Sequence, residues 1–185
     1  MFDLDQFFDD CQQAVVQDDS HKGVREVVAR ALRDPRAVMA VVGEPQRAGI
    51  NVLFRSPHLT IMNLVWGPAM SIMPHDHRMW AVIGIYTGRE DNIFWRRLPR
   101  DAGRPIEAAG ARSLFAGDCT PMGSDIIHSV TNPIPRLTGA IHVYGGDFLT
   151  QPRTEWDAET LNEGPYDVAK ARRLFEESNR VLVAA

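Results

Sequence analysis

The chain has 185 residues, 44% of them hydrophobic and 24% charged, with a formal net charge of -4. This is ordinary globular usage, long enough to bury a core, and the acidic balance argues against a nucleic-acid or anionic-membrane surface. No apolar run approaches the ~18 residues of a membrane span, and the chain does not open like a secretory leader. Cys11 and Cys119 lie far apart without CxxC spacing, so a disulfide framework is not expected and a reducing cytoplasm is.

The first forty residues read as helix. Phe2, Leu4, Phe7, Phe8, Cys11, Ala14 and Val15 recur at helical spacing. A second helix is expected from about Lys22 to Arg33, broken by Asp34-Pro35, and a third from Arg36 to Val42. From residue 50 the texture changes to short β runs, at 50–55, 58–66, 71–75, 78–88, 91–98, 111–115, 125–132 and 137–145. Glycine and proline separate them, as at Gly67-Pro68, Gly88 and Gly117. Many strands with no helix between them predict a sandwich or barrel. The densest basic cluster, 96–104, reads as a solvated hairpin edge. A last helix is expected from Tyr166 to Leu182. The expectation is one mainly β (α+β) domain: a helical segment 1–47, a β-barrel 48–150, and a loop and helix over 151–185.

Three histidines carry the chemistry. Residues i and i+2 of a strand share a face, so His75 and His77 in PHDH offer two imidazoles to one point. His128, in the run Gly117-x3-Pro121-x-Gly123-x4-His128-x3-Asn132, can supply a third from a neighbouring strand. Three neutral ligands on one face leave the opposite positions of a metal open, as in non-heme iron centres. His142 and Tyr144 share a face by the same parity. His21 and His58 read as surface residues.

These two motif halves resemble the cupin superfamily, whose fold is a double-stranded β-helix barrel. Most cupins place a glutamate five residues after the second histidine; here that position is Val82, and Glu90 reads as a solvent-facing turn residue. Three histidines without the glutamate resemble the thiol dioxygenases of the cysteine dioxygenase family. Leu64-Val65-Trp66-Gly67-Pro68 is similar to that family's strand before its metal motif, and Ile141-His142-Val143-Tyr144 to its outer histidine–tyrosine strand. The resemblance implies Fe(II) held by His75, His77 and His128, with Tyr144 and His142 as catalytic groups.

The departures narrow the resemblance. Ala140 stands where the cysteine enzyme has a serine, Val82 where the mammalian form has a crosslinking cysteine, and the usual substrate arginine is missing near Asn51. Arg47 and Arg55 are nearby but out of register. Arg153, nine residues after Tyr144, stands where the 3-mercaptopropionate dioxygenase branch holds its substrate carboxylate, a role that suits a planar guanidinium fork. Met73, Trp80 and Val82 are candidates for an apolar wall around the metal. The implied function is oxidation of a small thiol carboxylate by dioxygen to its sulfinate, with those two molecules as partners. The alternatives are a cupin oxygenase or isomerase of another class, or a non-catalytic ligand-binding cupin. Oligomeric state is not readable.

Overall fold

The structure, a computed structural model, describes residues 1–184, with side-chain surroundings through residue 181. Ala185 and the side chain of Leu182 lie outside the described residues. Three helices open the chain: α1 (Leu4–Gln17), α2 (His21–Ala31) and α3 (Pro35–Val42). Each starts on a side chain that satisfies a free backbone N–H: Asp3 accepts from Gln6, Ser20 from Lys22, and Asp34 from Ala37. Pro35 thus begins α3 rather than merely ending α2, as its fixed φ and missing N–H allow at a first helical position.

Eleven strands follow in chain order: β1 (Gly49–Arg55), β2 (Thr60–Trp66), β3 (Ser71–Asp76), β4 (Ala81–Thr87), β5 (Arg89–Arg97), β6 (Ile106–Phe115), β7 (Cys119–Met122), β8 (Ile127–Thr131), β9 (Thr138–Tyr144), β10 (Thr154–Trp156) and β11 (Glu163–Pro165). They form two antiparallel sheets, ordered β1-β2-β9-β4-β7 and β11-β10-β3-β8-β5-β6. This is the expected double-stranded β-helix barrel, with N-terminal helices and a C-terminal helix, α4 (Val168–Ala184). Strands β7, β10 and β11 were not legible in the sequence, and β6 starts five residues earlier than its apolar run. Residues 151–165, read as loop, therefore add a hairpin to the second sheet: β10 pairs with β11, and Glu155 pairs with His75 of β3.

Alternation along the first sheet divides two cores. Met62, Leu64, Trp66, Ala81, Ile83 and Ile85 point between the sheets. Ile61, Val82, Ile141 and Val143 point outward against Phe7, Cys11, Val24, Val28 and Leu32 of the helices. Each such fully buried Val, Leu or Ile contributes roughly 1.5–3 kcal/mol of transfer free energy. The helices come close because Gly84 has no side chain: a Cβ there would lie 2.5 Å from Leu32 Cδ1 and 2.7 Å from Val28 Cγ1.

Helix α4 covers the side of the barrel between β1 and β3. Asn179 clamps it to the β1 edge, its amide donating to the Ala48 carbonyl at 2.9 Å and accepting from the Ala48 N–H at 2.8 Å. Phe175 stacks on Trp66 with ring centroids 5.5 Å apart. The basic cluster is spent locally: Arg96 and Arg104 pair with Glu107, and Arg97 with Glu163. Among the described residues no helix is long and apolar enough to cross a membrane.

Candidate metal centre

Strand β3 reaches the site through a bulge. Ile72 pairs with Val130 and His75 with His128, so three residues of β3 span the length of two on β8. The extra residue lets Ile72 and His75 both face inward, and His77, just past the end of β3, shares the His75 face. His128 enters from β8 directly opposite His75. One ring nitrogen of each of these three buried histidines lies within 4.8 Å of the others, so together they could hold a metal ion. His77 Nε2 and His128 Nε2 are 3.1 Å apart. Two nitrogens each ~2.1 Å from one ion and at right angles stand about 3 Å apart, so this spacing fits.

The other ring nitrogens are tied down where partners are present. His75 Nδ1–H donates to the Met73 carbonyl at 2.9 Å, and His128 Nδ1–H to Asn92 Oδ1 at 2.7 Å. Both bonds leave Nε2 as the lone-pair donor, the arrangement that orients metal-binding histidines. Burial holds all three imidazoles neutral: it depresses His75 to about 4, and His77 and His128 well below the ordinary imidazole value, with the nearby His75 lowering the latter two further. Among the described residues no carboxylate joins the cluster.

Tyr144 stands against this cluster, edge-on to His77 with centroids 5.1 Å apart and stacked on Phe148 at 4.0 Å. Its hydroxyl is 3.0 Å from His142 Nδ1, and burial raises it well above the usual phenol range. The parity argument thus brings His142 and Tyr144 into one hydrogen-bonded pair. Arg153 joins the same cavity from the start of the β10–β11 hairpin. That hairpin is fixed to the metal strand by the Thr154 N–H donating to Asp76 Oδ1 at 2.8 Å. The Arg153 guanidinium lies between the rings of Phe148 and Tyr166, 3.9 and 4.2 Å from their centroids. It has no carboxylate within ion-pair distance among the described residues, and burial lowers its pKa. Arg47 lines the mouth of the cavity, whereas Arg55 is engaged with Asp147 through two bonds of 2.8 and 2.7 Å.

Several expectations fail on register. Val82 is on the outer face of β4, packed against the helices; the residue paired with Tyr144 is Ala81. Trp80 also faces outward, donating its indole N–H to the Asp19 carbonyl at 2.8 Å. Met73 gives its carbonyl oxygen to His75, while its side chain packs in the inner core and does not line the cavity. The apolar wall consists instead of Met62, Leu64, Trp66, Ile72, Val130 and Phe148, around a cavity of about 440 Å³.

Glu90 is the largest correction. It is fully buried, not solvent-facing, because β5 crosses to the second sheet beside β8 and its alternate residues Glu90 and Asn92 turn inward. Its Oε2 accepts from Trp66 Nε1–H at 2.7 Å and its Oε1 from Asn92 Nδ2–H at 2.9 Å. Glu90 and Asn92 were missed as site residues, although their i, i+2 spacing was a usable signal.

No protein-family profile matches the sequence. Solved structures with a similar course of chain include an RmlC-like cupin from Methanocaldococcus jannaschii, at 10% identity over 57% of this chain and 86% of that one, TM-score 0.47. A protein from Bacillus halodurans matches at 17% identity over 55% and 72%, also with TM-score 0.47. A double-stranded β-helix protein from Klebsiella pneumoniae matches at 12% identity over 67% and 90%, with TM-score 0.44.

Proposed function

We propose that this chain is a non-heme Fe(II) thiol dioxygenase acting on a small thiol carboxylate of the 3-mercaptopropionate or cysteine type. The observation that carries the reading is the Arg153 guanidinium, without a carboxylate partner among the described residues, in the same cavity as three neutral histidines that no described carboxylate joins. Three uncharged ligands leave a divalent ion its full charge, so the site attracts an anionic thiolate more strongly than a carboxylate-ligated one would. The chemistry that Fe(II) supplies when bound is the activation of dioxygen toward the sulfur. In the balanced reaction, thiol and one dioxygen give the sulfinic acid, with both oxygen atoms retained.

The residues of the chain bind and orient. Arg153 takes the substrate carboxylate through its fork, held rigid by the two rings on its faces. Tyr144 faces the bound ligand with its phenol oxygen, positioned by His142. The apolar wall keeps water out, which strengthens each polar contact inside.

The test is oxygen uptake by the iron-loaded protein with 3-mercaptopropionate, cysteine and cysteamine, with mass spectrometry of the product. The reading expects uptake with 3-mercaptopropionate above cysteine and a product heavier by two oxygen atoms. Iron retention with no uptake for any thiol would move the assignment to another cupin chemistry.

A further inference from the structure

Glu90 is a buried carboxylate that meets no lysine or arginine within ion-pair distance among the described residues. Each of its oxygens instead accepts one N–H, from Trp66 and from Asn92. A third nitrogen faces it: His142 Nε2 lies 3.5 Å from Glu90 Oε2 and has no hydrogen-bond partner among the described residues. Both Glu90 oxygens already act as acceptors, so an Nε2 lone pair aimed at Oε2 would face another lone pair and be repelled in so buried a place. Nε2 must therefore carry hydrogen. A neutral imidazole has one N–H, which leaves Nδ1 as an acceptor 3.0 Å from the Tyr144 hydroxyl.

We propose that Glu90 is a positioning residue that fixes His142 as its Nε2–H tautomer and so directs the Tyr144 hydroxyl proton onto His142 Nδ1. Tyr144 then presents only lone pairs to the cavity and meets a ligand as a hydrogen-bond acceptor. The same carboxylate orients the Asn92 amide, whose Oδ1 accepts from His128 Nδ1–H at 2.7 Å. One buried carboxyl group thus sets hydrogen positions both on a metal-site histidine and on the tyrosine beside it. The relation follows from side chains of the chain itself and does not depend on which reaction the site performs.

The experiment is long-range ¹H–¹⁵N spectroscopy of the histidine-labelled chain, metal-free and again with one equivalent of Zn(II). In the unaltered protein His142 should show N–H character at Nε2 and a lone pair at Nδ1 in both states. Glu90→Gln, whose amide can turn an N–H toward Nε2, should lower the ratio of the Nε2–H to the Nδ1–H tautomer by about tenfold or more. Trp66→Phe removes a bond to Glu90 but leaves the carboxylate facing His142, so it should keep the original tautomer. A merely structural role for Glu90 would leave the tautomer unchanged in both variants. His142 found protonated at Nδ1, or at both nitrogens, in the unaltered protein overturns the proposal even where Glu90→Gln does not fold.

Discussion

The guanidinium carbon of Arg153 lies 3.9 Å from the ring centre of Phe148, so the charge is presented by a stacked, immobilised group rather than a free side chain. A cation over an aromatic face gains about 0.5–2 kcal/mol and loses little further entropy on binding an anion.

Truncating Arg153 should therefore cost ligand affinity and leave the metal cluster intact. Losing one partner of a desolvated charge pair costs about 2–5 kcal/mol, so Arg153→Ala should raise the half-saturating concentration of 3-mercaptopropionate tenfold or more with unchanged metal content. Arg153→Lys should recover little, because an ammonium lacks the flat fork. If cysteamine, which has no carboxylate, is oxidised as well as 3-mercaptopropionate, the role given to Arg153 is wrong.

Replacing any one of His75, His77 and His128 by alanine should abolish metal retention. The check is elemental analysis after dialysis against a weak chelator, run beside circular dichroism to verify folding. A folded His128→Ala protein with full iron and full turnover would refute the ligand set.

The metal-free protein should lose stability as pH falls from about 6.5 toward 4. The unfolded chain takes up protons on these histidines near their ordinary value of 6.5, whereas burial depresses His75 to about 4 and the other two well below that ordinary value. Protons then bind the unfolded state preferentially, so stability is greatest above 6.5 and declines below it. Urea midpoints at pH 7 and pH 5 measure this. Equal midpoints would mean that the three imidazoles are not held neutral by the fold.

Tyr144 should carry no covalent link to a cysteine. Cys11 is buried among the helices, and Cys119 sits on the helix side of the first sheet with its thiol near the Arg25 carbonyl. Burial pushes their thiols up to about 12 and about 11, so both should also alkylate slowly at pH 8. Peptide mapping should recover Tyr144 unmodified; a thioether to either cysteine contradicts the structure.

Gly84→Ala should weaken helix docking without touching the metal cluster. The added methyl group meets Leu32 and Val28, both buried, and overpacking of this kind typically costs about 1–3 kcal/mol. Urea denaturation should show a lower midpoint, while metal content per folded chain stays the same. An unchanged midpoint would mean that the helices already have slack at this contact.

The sequence by itself determined the facing of side chains within a strand. His75 and His77, and separately His142 and Tyr144, follow from the two-residue repeat of extended backbone, which needs no knowledge of neighbours. The change of texture at residue 50 likewise announced a barrel behind helices. What tertiary structure decided was everything that depends on register between strands. Counting residues from His77 to Val82 ignores the turn between β3 and β4, and that turn sends Val82 outward and Ala81 toward Tyr144. Glu90 follows a glycine turn and carries charge, which locally signals solvent; its burial comes from the pairing of β5 with β8 and from donors supplied by Trp66 on β2 and Asn92 on β5. The three-residue strands β10 and β11 are too short to show a period, yet pairing with β3 places Arg153 and Tyr166 in the cavity. Parity is a property of one strand's backbone, whereas register is set by turns, bulges and partners distant in the chain.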